Sequence, residues 1–191
     1  MDVHIPIAAS LPDTETARLA LRRFRAEDLD ALAEVFAKPE VWRFPYGRGF
    51  SRTETEAFLA GQLEHWDVHG FGCWLAIERE TGRVIGYLGL SIPTFLPEVL
   101  PAVEVGWRLD PASWGRGYAT EGAGMALRLG FERLGLEQIC SIPQTGNECI
   151  YPGMRAPRHV LGEDGPDPGY GEAGRTFRRV LCNKGFGLGR R

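Results

Sequence analysis

Six consecutive residues, Trp114-Gly115-Arg116-Gly117-Tyr118-Ala119, carry the clearest chemical signal in the chain. They lie between a strand-like segment ending at Leu109 and a helix-like segment opening near Ala119. Glycines at such a junction let successive backbone N–H groups and the positive end of a helix dipole converge on one spot, which binds anions, typically a phosphate. The loop is not a Walker loop, because no Gly-Lys-Ser/Thr follows. Nor is it a dinucleotide fingerprint, because Thr120 stands where G-x-G-x-x-G requires a third glycine. Ordinary strand-to-helix turns also use glycines, so spacing alone leaves a phosphate cradle and a plain turn both open.

Other candidates are poorer. His65 and His69 are four apart, a spacing that can chelate a metal, but no third ligand is evident, which favours a solvated helix face and no metal. Trp66 and Trp74 have no basic stripe between them and read as core or cleft wall, not as a platform for bases. Cys140 has no histidine or carboxylate beside it to activate its thiol, and reads as a small buried side chain. The arginines at 175, 178, 179, 190 and 191 read as a solvated basic tail.

The elements that must position the loop follow from periodicity. Residues 17–24 alternate apolar and basic, the mark of a half-buried strand. Residues 26–37 switch to helical spacing, with Leu29, Leu32, Ala33 and Phe36 on one face. Ser51-Arg52-Thr53-Glu54 is a capping box, and Phe58, Leu59, Leu63 and Trp66 follow at helical spacing until Gly70. Strands over 73–78 and 84–90 flank Gly82 and form an antiparallel hairpin. A proline-bearing stretch leads to a strand over 103–109, a helix over 119–134 and a strand over 138–142.

Composition bounds the rest. With 191 residues, 43% hydrophobic and 25% charged, the chain reads as one ordinary globular domain with a real core. No apolar run is long enough to span a membrane, and Met1-Asp2-Val3-His4 does not open a secretion signal. Four scattered cysteines form no C-x-x-C pair, which points to a reducing cytoplasm. Residues 1–147 hold 14 Lys/Arg against 20 Asp/Glu, and residues 148–191 hold 8 against 5. The acidic body argues against nucleic acid and favours cationic partners such as amines.

The ordered motifs Arg18-Leu19-Ala20-Leu21-Arg22, Gly82 to Gly89, Glu104-Val105-Gly106-Trp107 and Trp114-Gly115-Arg116-Gly117-Tyr118-Ala119-Thr120-Glu121 resemble the GNAT superfamily of acyl-CoA-dependent N-acetyltransferases. The likeness is greatest to the branch that includes the RimJ and RimL ribosomal-protein acetyltransferases, and it covers about residues 16 to 147. It implies an α/β (α+β) domain over 16–147, after a leader over 1–15: a mixed, mostly antiparallel sheet with a splayed parallel strand pair and helices on both faces.

The resemblance also implies a site. Main-chain groups of Trp107 and Leu109 would contact the pantetheine of acetyl-CoA, the cosubstrate. The amides of Gly115, Arg116, Gly117 and Ala119 would hold its pyrophosphate, Arg116 would add charge, and Asn147 would touch the cofactor. Glu104 matches a position that can serve as general base for the amine. A solvent-facing strand carboxylate, or a charge that merely attracts the amine, remains open for it. The acceptor would be a small molecule or a protein N-terminus, and a homodimer is compatible with the resemblance. The segments 44–50 and 91–101 face the acceptor without a decisive signature.

After Asn147 the chain departs from that branch, which continues with a helix of the form Ser-x-x-x-x-Glu-Lys-Leu-Gly-Met/Phe. Pro152 would break such a helix, its serine is missing, and Tyr151 cannot be assigned as general acid. Thirteen of residues 148–191 are Gly or Pro, the composition of an irregular segment. A diverged segment and a reading frame shifted near Asn147 both account for it. The expected function is acetyl transfer to a primary amine. The alternatives are a CoA-binding module whose altered C-terminus has cost it catalysis and a phosphate-binding domain unrelated to CoA.

Overall fold

The computed structural model describes residues 10–142 and 180–183. Seven strands form one sheet in chain order: β1 (Thr14–Glu15), β2 (Leu19–Arg22), β3 (Cys73–Glu78), β4 (Val84–Ser91), β5 (Glu104–Leu109), β6 (Gln138–Ser141) and β7 (Val180–Asn183). Every neighbouring pair is antiparallel except β5 and β6, which run parallel. The helices are α1 (Leu29–Phe36), α2 (Arg43–Tyr46), α3 (Arg52–His69) and α4 (Tyr118–Glu132).

Local sequence accounts for most of these elements. In β2 the alternation puts Leu19 and Leu21 in the core and leaves Ala20 and Arg22 half-covered. The capping box of α3 is present in full. The Ser51 hydroxyl accepts from the Glu54 amide at 3.2 Å, and the Glu54 carboxylate accepts from the Ser51 amide at 2.8 Å. Gly70 closes that helix in the left-handed conformation at φ 68°.

Two cores lie on the two faces of the sheet. One joins Leu88, Leu90, Val105 and Ile139 of the strands to Ala123, Ala126 and Leu127 of α4. The other joins Leu75 to Leu32, Val35 and Phe36 of α1 and Leu59 of α3. Helix α4 presses close on β4: a Cβ at Gly122 would stand 2.1 Å from Leu88 Cδ2.

Four features were not read from sequence. Residues 10–15, assigned to a leader, are tied to the body by Leu11, which is buried and donates to the Gly70 carbonyl at 2.9 Å, and by β1. Helix α2 is a single turn that periodicity cannot register. The helix expected over 26–37 opens as a 3₁₀ turn at Ala26–Asp28. From the segment expected to be irregular, residues 180–183 supply β7, because β6 otherwise leaves an unpaired edge that any extended segment can fill.

His65 also departs from the expected solvated face. Its ring lies 5.4 Å from the Phe71 ring, and burial pulls its pKa down to about 4. Trp66 and Trp74 are core residues, their indoles donating to the carbonyls of Cys73 and Pro12.

Candidate active site

The loop between β5 and α4 is built by glycines that no other residue could replace without strain. Gly115 and Gly117 adopt φ of 72° and 80°, the left-handed region that L side chains avoid. A Cβ at Gly115 would meet nothing within 4 Å, and one at Gly117 would meet only Arg18 Nη2 at 3.5 Å. Helix α4 opens at Gly117 without a side-chain cap. Among the described residues, the amides of Gly115, Arg116, Gly117 and Ala119 donate to no other group of the protein. Unspent donors at a helix N-terminus amount to an anion cradle, so these residues fit a pyrophosphate.

Long-range contacts hold the loop in place. Arg18, at the start of β2, donates to the Arg116 carbonyl at 2.8 Å and pairs with Glu121 of α4 at 2.6 Å. Asp110, which ends β5, accepts from Lys38 at 2.8 Å, Arg83 at 3.2 Å and the Ala112 amide at 3.0 Å. Burial works against its charge, yet those donors hold its pKa below the usual carboxylate value. The Trp114 indole, half-exposed, donates to the Leu109 carbonyl at 2.8 Å.

Arg116 divides its roles. Its amide joins the cradle, while its guanidinium pairs with Glu78 at 2.8 Å. The Tyr118 hydroxyl also donates to Glu78. The charge expected from Arg116 therefore lies against a buried carboxylate rather than free at the loop.

Among the described residues, the seam between β5 and β6 has one bridged pair, Glu104 with Cys140. Strand β5 runs on to Leu109 while β6 stops at Ser141. The Asp110 amide donates to Ile85 on the β4 side, and the Val103 carbonyl accepts from Cys140 on the β6 side. By alternation, the main-chain groups of Trp107 and the Leu109 amide face away from β4, beyond the end of the paired seam. The Leu109 carbonyl is spent on Trp114. Asn147 lies outside the described residues.

Glu104 stands at the seam's one rung, only partly accessible to solvent. Burial raises its carboxyl pKa to about 7, opposed by the Ile142 amide, which donates to it, and by the positive charge of Arg108. That is the range in which a carboxylate can exchange protons with an amine at neutral pH. Gly106, next on the same face of β5, leaves open space: a Cβ there would meet only the Glu104 carboxyl, 3.9 Å from Oε1. Arg108 follows on that face, its guanidinium 4.1 Å from the centroid of the Trp42 ring and donating to the Val41 carbonyl at 3.0 Å.

Sequence reading missed the brace by Arg18 and the pairing of Trp42 with Arg108. Their partners lie 103 and 66 positions apart in the chain, and no local pattern signals such contacts. The Glu121 of the loop motif was the one available hint.

Solved acetyltransferases share this fold, a sheet with a parallel β5–β6 seam among the described residues and a crossover helix that opens on a glycine loop. One from Bacillus anthracis superposes with a TM-score of 0.70 at 20% identity, covering 90% of this chain and 98% of that one. A putative ribosomal-protein-serine acetyltransferase from Vibrio cholerae gives 0.70 at 18% identity, covering 92% and 99%. The chain belongs to the GNAT acetyltransferase family, whose acetyltransferase (GNAT) domain matches residues 18–149.

Relatives agree. An FsC-acetyl coenzyme A-N(2)-transacetylase of Aspergillus fumigatus is 34% identical over 147 residues, 71% of this chain and 60% of its own length. The chain thus spans about three fifths of that relative's length. YoaA of Bacillus subtilis, an uncharacterized N-acetyltransferase, is 30% identical over 72% of this chain and 76% of its own length. No helix among the described residues is long and apolar enough to cross a membrane.

Proposed function

We propose that the protein is a cytoplasmic enzyme that transfers acetyl from acetyl-CoA to a primary amine by direct attack, its core over 16–147. The unspent amides of the 115–119 loop carry this reading, because they match a bound pyrophosphate and have no other use among the described residues. When bound, acetyl-CoA supplies the activated acyl group. Trp107 and the Leu109 amide offer main-chain groups to the pantetheine arm, and Asn147 would add a contact beyond them.

Glu104 takes a proton from the ammonium acceptor and leaves it neutral. The amine nitrogen then bonds to the thioester carbon as the C–S bond breaks. The second proton lost by nitrogen goes to the departing thiolate, and the one on Glu104 returns to solvent, so charge and protons balance. The loop fixes the donor and Glu104 the acceptor, so the reaction gains from proximity as well as from the base.

Release of CoA thiol from acetyl-CoA in the presence of an amine panel tests the reading. Amine-dependent release supports it. CoA binding without release from any amine would replace it with a non-catalytic CoA-binding module, and absence of CoA binding by calorimetry would replace it with an unrelated phosphate-binding domain.

A further inference from the structure

Glu104, Gly106 and Arg108 occupy alternate positions on β5 and so share one face, with all three partly accessible. The middle position has no side chain, and the space over it is open except for the Glu104 carboxyl. The result is a slot along the strand with a carboxyl at one end and a guanidinium at the other. One side is lined by Trp42, which stacks on Phe50 at 3.7 Å between ring centroids.

The guanidinium is the unusual part. Arg18, Arg22, Arg48, Arg52, Arg79, Arg83 and Arg116 each lie within 4.0 Å of a carboxylate; of the described arginines that do not, Arg23, Arg25, Arg43, Arg128 and Arg133 are exposed and Arg108 is the one that is partly buried. Its contacts are the Val41 carbonyl, the Trp42 ring and the Tyr87 hydroxyl. Those contacts fix its position without neutralising it. A half-buried cation with no carboxylate within 4.0 Å favours an anionic ligand, because the ligand regains the pairing that solvent no longer supplies in full. Trp42 adds to the same wall an indole N–H that is buried with no hydrogen-bond partner among the described residues. A second cationic group on the acceptor would instead meet Arg108 as a like charge.

We propose that the slot over Gly106 selects an acceptor bearing an anionic group on the same molecule as its amine, an amino-acid-type zwitterion, with the amine at Glu104 and the anion at Arg108. This rests on the acetyl-transfer reading and adds to it the chemical class of the acceptor. Diamines, plain alkylamines and peptide N-termini lacking a nearby carboxylate are the disfavoured classes.

The test uses the full chain and three matched series: glycine to 6-aminohexanoate, the corresponding n-alkylamines, and the corresponding diamines. Initial rates are read as thiol release from acetyl-CoA. Binding of the matching N-acetylated products to CoA-saturated protein is read by calorimetry, so preference is measured even where turnover is absent. The expected result is at least about tenfold higher kcat/KM, or tighter product binding, for one chain length of amino acid over its alkylamine, as for a single charge-assisted contact.

Arg108→Met, which keeps the apolar stem, is expected to remove that preference through KM for the amino acid, bringing the ratio of amino-acid to alkylamine kcat/KM to about one. Arg108→Lys, which keeps the charge, should retain part of it. Equal or better use of alkylamines or diamines by the wild type would overturn the proposal, as would a uniform loss across all series in Arg108→Met. Failure of every amine to release thiol, with the product-binding preference intact, would count against acetyl transfer and leave the slot's selectivity standing.

Discussion

The loop over residues 114–119 and the face of β5 over residues 104–108 are adjacent in chain and space, yet they are built on opposite principles. The loop recognises with backbone: its glycines remove side chains, and the amides they expose do not depend on which residue carries them. The β5 face recognises with side chains: a carboxyl, a gap and a guanidinium, each tuned by what packs around it. On the proposed function, backbone recognition suits the donor, whose pyrophosphate never varies. Side-chain recognition would suit the acceptor, which is where one member of a family can differ from another.

Glu104→Gln should produce the largest effect, confined to the β5 face. Glutamine keeps the size and most hydrogen bonding but cannot take the proton, so kcat should fall on the order of 10²- to 10⁴-fold while acetyl-CoA affinity stays within about twofold. In the wild type the ionised, base-competent fraction grows as pH rises through about 7, and that limb of the pH–rate profile should vanish in the variant. A kcat equal to wild type from pH 6 to 10 would remove Glu104 from the chemistry. The same shift has a stability counterpart. Folded Glu104 keeps its proton up to about 7, whereas the unfolded group releases it near 4.5, so its contribution is present below that value and lost as pH rises through 7. The melting temperature of Glu104→Gln relative to wild type should therefore climb between pH 5 and 8.

Gly117→Val breaks the other half. A β-branched residue at φ 80° is strained and would push toward Arg18, displacing at least two donors from the cradle. At roughly 1.5 kcal/mol per charge-assisted bond, CoA affinity should fall about 10²-fold, measured by calorimetry on protein shown to be folded by circular dichroism. Unchanged affinity would sink the loop assignment.

The fold was legible because its long elements announce themselves. The capping box at Ser51, the glycine stop at Gly70 and the Gly82 hairpin are local codes with local causes. The loop was legible for the same reason, since Gly115 and Gly117 act through their own backbone. The acceptor side was not. The raised carboxyl of Glu104 comes from burial, and Arg108 meets Trp42 across 66 positions, so neither property exists before the chain folds. Strand β7 was hidden for a related reason: its pairing belongs to the edge of β6, not to the composition of residues 180–183.

Arg18→Ala sharpens the contrast at smaller cost. The loop keeps its own amides but loses a brace, one that is half exposed and so discounted for solvent, worth about 1 kcal/mol. CoA affinity should weaken about fivefold with kcat for bound substrates little changed. A loss matching that of Gly117→Val would mean that the loop is shaped by Arg18 rather than by its glycines. Smallest of all, Arg52→Ala removes an ion pair with Asp30 whose side chains are 62% and 82% exposed. Its stability by denaturant titration should stay within about 0.5 kcal/mol of wild type.

Mechanically, the sheet is two panels hinged on a single rung. Strands β1 to β5 form one panel with antiparallel ladders, the β3–β4 ladder shifting register at Ala76/Ile77, and β6 with β7 forms the other through four registered pairs. Among the described residues, only Glu104 with Cys140 joins them through bridged backbone. Load that tends to part the panels is carried also by α4, which packs on β2, β4, β5 and β6, and by the cluster of Leu96 and Ala102 with Cys140 and Ile142. Gly130 marks the point of transfer, since a Cβ there would stand 2.6 Å from Ile139 of one panel and 3.0 Å from Leu90 of the other. A ligand wedged into the seam would push against that helix, whose opposite end opens at Gly117, so on the proposed function the strain of admitting one half of a substrate would reach the loop that holds the other half.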